Sequence, residues 1–212
     1  MRDAVDVAAL ADIPAEPWRN GGGITRTLAV GDGWRASLAE IGRDGPYSRF
    51  AGTLRLSLIV AGAGVRLRAT AAEHATAHEL LPGQAVQYDG DAAWQASLID
   101  GPALALNLIA RAGAYRLHAQ TLDAERGVPI GAHAGLVVLS GPQPCAVWEA
   151  DGSRRQWQLA PFTVLRIPRL TASIQLCGAA AVAAPAADAG TRAPIQGAPP
   201  HWPIVASAEP LT

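Results

Sequence analysis

The sequence contains no lysine, so all 17 basic residues among its 212 are arginine. Schiff-base chemistry and a P-loop lysine are thereby excluded. Cationic recognition falls to rigid guanidinium forks, which match carboxylates and phosphates in bidentate fashion. Charge of either sign is sparse, at 17% of residues, with a formal net of −1. That balance lacks the basic footprint needed to neutralise a phosphate backbone, which argues against nucleic acid as a partner.

Cysteine is nearly absent. Cys145 and Cys177 lie far apart in strand-like runs with no further soft ligands beside them. They read as buried thiols of a reducing compartment, and a disulfide stays open if their two strands are neighbours. No apolar stretch of transmembrane length occurs, and MRDAVDVAALADIP carries aspartates where a leader peptide needs a basic and then an apolar run. The expectation is a cytoplasmic protein that does not engage a membrane. A homodimer is left open.

Recognisable catalytic and cofactor motifs are also missing. There is no Gly-x-Ser-x-Gly elbow, no dinucleotide fingerprint and no Walker loop. AAEHATAHELLPG (71–83) sets His74, His78 and Glu79 close together, but the spacing fits neither a zincin helix nor the His-x-His of a metal-binding cupin. His118, His133 and His201 do not complete either pattern. No metal and no cofactor are expected, and this stretch reads as a solvated loop. Asp44 and Asp100 each sit in an Asp-Gly-Pro turn, where hydrogen bonds to local backbone are the expected task.

What the chain does contain is a regular succession of short apolar runs divided by Gly, Pro and Asp turns. ITRTLAV, WRASLAEI, TLRLSLIVAG, VRLRAT, QAVQY, WQASLI and ALNLIA occupy the first half. YRLHAQTL, GLVVLSG, CAVWEA, RQWQLA, FTVLRIP and ASIQL occupy the second. Strand-sized runs at this spacing predict an all-β sandwich or barrel. Only the first dozen residues and 121–126 look able to form helix. LIVAGAGVRL (58–67) and VVLSGPQPCAVW (137–148) repeat one strand–turn–strand unit, so two barrels in one chain are expected. The division is 1–113 for the first barrel, 114–178 for a smaller second barrel, and 179–212 for an Ala/Pro-rich tail. HWPIV, with Trp202 and Ile204, could dock that tail back.

Three consecutive glycines in WRNGGGITR (18–26) stand directly ahead of a strand. Glycine reaches backbone conformations closed to other residues and allows close approach, at an entropic cost. Alternation in ITRTLAV places Arg26 with Ile24, Leu28 and Val30 on one face. Such an arginine needs a carboxylate, carbonyls or an anionic ligand, unless it snorkels to water along its own stem. Arg35-Ala36-Ser37 and Arg55-Leu56-Ser57 repeat an Arg-x-Ser pattern whose arginine and serine share a face. That face either lines a barrel mouth suited to a small acid or meets solvent, as expected for Arg66 and Arg68 of VRLRAT.

Pro17-Trp18-x-Asn20-Gly21-Gly22-Gly23-x-Thr25-Arg26, Trp34-Arg35-x-Ser37, Asp44-Gly45-Pro46-x-Ser48-x-Phe50-x-Gly52-x-x-Arg55 and Asp100-Gly101-Pro102 with Asn107 follow one another in order. Together they resemble the HutD/Ves family over residues 14–111. The resemblance implies a bicupin, two cupin-like β-barrels in one chain, without the cupin metal ligands. It also implies a place in histidine utilisation, binding an acidic intermediate of the formylglutamate or urocanate class as a regulator. The alternative is a metal-independent cupin enzyme acting as isomerase, lyase or hydrolase on a small organic acid. The candidate ligand-binding set is then Trp18, Asn20, Gly22, Thr25, Arg26, Arg35, Ser37, Ser48, Phe50, Arg55, Ser57 and Asn107. Two positions depart from the family pattern: Thr27 stands where a glutamate commonly follows the Thr-Arg pair, and Ala105 where an acid usually precedes the asparagine.

Overall fold

The computed structural model describes residues 5–70, 76–121, 134–149, 156–170, 174–177 and 203–211. Its strands are β1 (Asp6–Ala9), β2 (Ala15–Pro17), β3 (Gly23–Gly31), β4 (Trp34–Ile41), β5 (Gly45–Pro46) and β6 (Thr53–Ala61). The first half continues through β7 (Val65–Ala69), β8 (Ala77–Leu80), β9 (Ala85–Asp89), β10 (Trp94–Leu98) and β11 (Ala103–Arg111). Then follow β12 (Tyr115–Thr121), β13 (Ala134–Leu139), β14 (Cys145–Glu149), β15 (Gln156–Leu159), β16 (Thr163–Leu170), β17 (Ile174–Cys177) and β18 (Ile204–Pro210). Each run expected as a strand contains one within its described residues. The pairings between named strands are antiparallel.

Two units result, each made of two facing sheets that do not join into a closed cylinder. In the first, a six-stranded sheet in the order β2-β3-β4-β11-β6-β9 faces a four-stranded sheet, β5-β10-β7-β8. In the second, β1-β16-β13-β18-β12 faces β15-β14-β17. The larger sheets of the two units pack on one another. Because side chains alternate along a strand, the central strand β11 serves both sides. Leu104, Leu106, Leu108 and Ala110 join an inter-unit core with Leu117, Val137, Leu139, Val164, Ile204 and Ala206. Ala103 and Ala105 belong instead to the cluster inside the first unit, with Ile59, Leu67, Tyr88 and Trp94. Each leucine buried this fully contributes about 1.5–3 kcal/mol.

Trp34 pins the interface. Its indole lies so close to two glycines that a Cβ on Gly31 would stand 1.9 Å from Nε1, and one on Gly135 of the second unit 2.1 Å from Cζ2. Arg166 on β16 adds a polar clamp. It donates from Nε to the carbonyl of Leu28, which the register shift between Thr27 and Ala29 leaves out of the ladder, and from Nη1 to Asp6 at 2.7 Å.

The division read from the sequence differs from the observed units at both ends of the chain. Asp6–Ala9, expected in the first barrel and able to form helix, is an edge strand of the second unit, paired with Thr163–Arg166. A single 3₁₀ turn, Leu10–Asp12, follows it. Ile204–Pro210 is not a tail element but an interior strand of the second unit, between β13 and β12, with Ile204 fully buried. The docking expected of HWPIV through Ile204 fits this burial, but its form as a paired strand was not legible, because an IVASAEP strand is short and its burial depends on two distant partners. The helix candidate at 121–126 lies outside the described residues beyond Thr121, as do His74, His133, His201 and Trp202. His78 and Glu79, expected in a loop, lie on β8, where Glu79 pairs with Arg66 at 2.7 Å. Cys145 is a buried free thiol, and its strand does neighbour that of Cys177, through the Ala146–Cys177 pairing. Among the described residues no helix is long and apolar enough to cross a membrane.

Candidate functional site

The glycine motif forms one lip of a cavity in the first unit. Asn20 Oδ1 accepts from Gly22 N at 2.9 Å, and Trp18 N donates to Gly23 O at 2.9 Å, closing a tight turn before β3. Gly21 adopts φ +64°, and a Cβ at Gly23 would lie 2.2 Å from the Glu40 carbonyl oxygen. Left-handed backbone at the first glycine and close strand approach at the third explain two of the three. Gly22 is the least constrained of the three: the three atoms nearest a Cβ there all belong to the Asn20 side chain, the closest at 3.1 Å.

The cavity holds about 650 Å³, and its walls follow the register of the six-stranded sheet. Arg35 on β4 and Arg55 on β6 each stand opposite Ile109 on β11. Two residues further along, Ser37 and Ser57 flank Asn107 in the same way. Beyond them Ala39 and Ala105 close the row with Ile59. Both Arg-x-Ser faces therefore point into the unit. Trp18, Asn20, Thr25, Arg35, Ser37, Ser48, Phe50, Arg55 and Asn107 of the candidate set line the cavity.

Three candidates do not. Arg26 lies on the opposite face of β3 from Thr25, where Nη1 pairs with Glu40 at 2.9 Å and the buried Nε has no partner among the described residues. Gly22 contributes backbone to the lip without lining the cavity. Ser57 is buried one layer beneath, bonded to Asn107 Oδ1 at 2.5 Å and to the Tyr88 hydroxyl at 2.9 Å. Arg66 and Arg68 are exposed on the outside of the other sheet. Asp44 bonds not to its own turn but to Leu98 N, 2.8 Å away on β10.

Arg55 dominates the electrostatics. It is 6% exposed, yet no carboxylate among the described residues pairs with it. Nη1 donates to Ser48 O at 3.2 Å, and Nε has no partner among the described residues. In place of an acid, three rings surround the guanidinium: Tyr88 at 5.1 Å, Tyr47 at 5.2 Å and Phe50 at 5.4 Å from centroid to Cζ. Phe50 is shared with Arg35, whose Cζ lies 5.5 Å from the same centroid. Cation–π contacts of this kind partly replace lost hydration but leave the positive charge uncancelled. Burial pushes the Tyr47 hydroxyl far up, with Tyr88 adding to the rise and Arg55 opposing it. Burial raises Tyr88 as well, against Arg55 and the Ser57 bond. Both stay protonated and neutral.

Tyr47, Tyr88, Glu16, Arg19 and Ile109 escaped the sequence reading, although two of the three tyrosines and one of the two phenylalanines in the chain meet at Arg55. Scarcity of aromatics, with Tyr47 inside the DGPYSRF motif, was the available signal; QAVQY carried none for Tyr88. His78 packs on Trp94 and Tyr88, with ring centroids 5.1 and 6.0 Å away, behind the cavity wall. Among the described residues no group of three His, Cys, Asp or Glu side chains could hold a metal ion.

Two β-sandwich units of cupin type in one chain, with a cationic cavity in the first, define a bicupin. The chain belongs to the HutD family, whose model matches residues 10–183. An uncharacterized 21.2 kDa protein of the hutC 3′ region of Pseudomonas putida is 34% identical over 119 residues, covering 53% of this chain and 61% of that protein. A conserved protein of unknown function from Pseudomonas aeruginosa PAO1 superposes with a TM-score of 0.72 at 27% identity, over 97% of each chain. HutD from Pseudomonas fluorescens SBW25 gives 0.69 at 24% identity, over 99% of this chain and 100% of that one, a likeness of fold.

Proposed function

We propose that this chain binds a small carboxylate in the cavity of its first unit and acts as a cytoplasmic, non-enzymatic regulator of histidine utilisation. The observation that carries the reading is Arg55, a buried guanidinium with an open Nε, no acid partner among the described residues and a second arginine beside it. Holding such a charge out of water is costly unless an anion completes it. A carboxylate is the simplest such anion, since each charge-assisted hydrogen bond it accepts is worth about 1.5–3 kcal/mol. The hutC neighbourhood named for the P. putida relative and the HutD name of the P. fluorescens structure support the pathway, and with it ligands of the formylglutamate or urocanate class. Calorimetry against formate, formylglutamate, urocanate and glutarate tests the reading, with each ligand recovered chemically unchanged. Failure of every one to bind ends it.

A further inference from the structure

Beneath the cavity the hydrogen bonds have a direction. Ser57 Oγ lies 2.5 Å from Asn107 Oδ1, an atom that only accepts, so the single serine proton is spent there. The 2.9 Å bond between Ser57 Oγ and Tyr88 must then be donated by the tyrosine, whose hydroxyl remains protonated. The amide orientation of Asn107 is set from both sides. Nδ2 faces the carbonyl of Ala105 at 3.4 Å, and turning the amide over would bring two acceptor oxygens together at that distance. Asn107, 8% exposed and lining the cavity, is thus left with an N–H that no described residue accepts.

The opposite wall repeats the sense. Trp18 Nε1, which can only donate, bonds Thr25 Oγ1 at 2.7 Å. Thr25 lines the cavity and keeps its own proton for donation. Arg35 and Arg55 can do nothing but donate. The one carboxylate among the lining residues, Glu16, is exposed on the edge strand β2.

We infer that Tyr88 and Ser57, with Trp18 across the cavity, are positioning residues that hold Asn107 and Thr25 as donors beside Arg35 and Arg55. The site then selects ligands whose buried groups are pure hydrogen-bond acceptors and rejects those that carry an ammonium or another donor there. This rests on the carboxylate reading above and adds the residues that set its selectivity. Asn107 and Thr25 touch the ligand; Ser57, Tyr88 and Trp18 act through them.

Glutarate and glutamate share a carbon chain and differ by one ammonium, so calorimetry with this pair at pH 7 reads the selectivity. Wild type should prefer glutarate by about twentyfold or more. Ser57→Ala leaves the amide held only by its long bond to Ala105 and should weaken glutarate about fivefold while narrowing the preference to within about fivefold. Ser57→Thr restores the hydroxyl and should restore both values, which a merely space-filling role at this buried position would not do. If Ser57→Ala is unstable because Tyr88 is left without an acceptor, the double variant Ser57→Ala/Tyr88→Phe removes both ends of the bond and should show the same narrowing. Asn107→Asp should bind glutarate more weakly than Asn107→Leu, since a fixed acceptor repels where an apolar group only fails to attract. An unchanged preference in both the single and the double variant overturns the inference, as does wild type that takes glutamate as readily as glutarate; either result leaves carboxylate binding standing. Wild type that binds neither acid overturns both.

Discussion

Arg35 and Arg55 occupy one cross-strand row, two strands apart, with Ile109 between them and the Phe50 ring within 5.5 Å of both guanidinium carbons. Neighbouring strands lie about 4.8 Å apart, so the two Cα atoms are separated by roughly 10 Å. Like charges this close in a partly desolvated pocket repel, and an anion between them relieves the repulsion. Arg26, by contrast, already has Glu40.

Arg55→Leu should therefore weaken binding of formylglutamate or glutarate by roughly tenfold to more than a hundredfold. Arg26→Ala should leave binding within about twofold and lower stability by on the order of 1 kcal/mol or less, since the pair is partly exposed. Calorimetry and thermal melting on the two variants separate them. Equal binding losses would place the ligand elsewhere.

The three glycines should respond unequally. Gly23→Ala drives a Cβ to 2.2 Å from the backbone oxygen of Glu40, which cannot move without separating β3 from β4. A loss of about 2–4 kcal/mol is expected, seen as a clear fall in melting temperature. Gly22→Ala has the Asn20 side chain nearest, at 3.1 Å, and should cost less than about 1 kcal/mol. Reversal of that order would contradict the account of the lip.

Gly135→Ala sits in the second unit but strikes Trp34 of the first. Displacing the indole opens the inter-unit core, at about 1–3 kcal/mol for an overpacked site. Because the damage lies between the units, near-ultraviolet circular dichroism of tryptophan should change together with the melting temperature. A stable variant with an unaltered tryptophan spectrum would show that the interface yields without cost.

Burial pushes the Cys145 thiol up to about 11, and the residue is only 4% exposed. In native protein it should react with a disulfide reagent at pH 8 far more slowly than a free thiol, and at the ordinary rate once the chain is unfolded. The folded state keeps its proton where the unfolded state has lost it. Stability from this group is thus complete below the unfolded value near 9 and is lost as pH rises through about 11, by roughly 2–3 kcal/mol in total. Cys145→Ala should flatten that part of the pH–stability curve.

Much of the fold was legible in the chain. Runs such as WRASLAEI and ALNLIA carry the length and apolar content of a strand, and each became one, buried along nearly its whole length. The short edge strands β2, β5 and β8 carried no such signal, since their pairing comes from neighbours and not from their own apolar residues.

Composition, the absence of lysine and the spacing of the apolar runs were sufficient to determine an all-β protein whose basic side chains are all guanidinium forks, because backbone period and side-chain chemistry are local properties. Which way each strand faces was decided only in three dimensions. Alternation puts Arg35 with Ser37 and Arg26 with Leu28, but it cannot say which of two faces meets the cavity; that depends on the second sheet each face packs against. The tertiary structure turned Arg35 and Arg55 inward, gave Arg26 to Glu40, and brought Tyr88 from a strand 31 positions away to Ser57. It also drew Ile204–Pro210 between β13 and β12, where long-range pairing makes an interior strand of a segment whose own sequence offered only the apolar Ile204 and Val205 as a docking point.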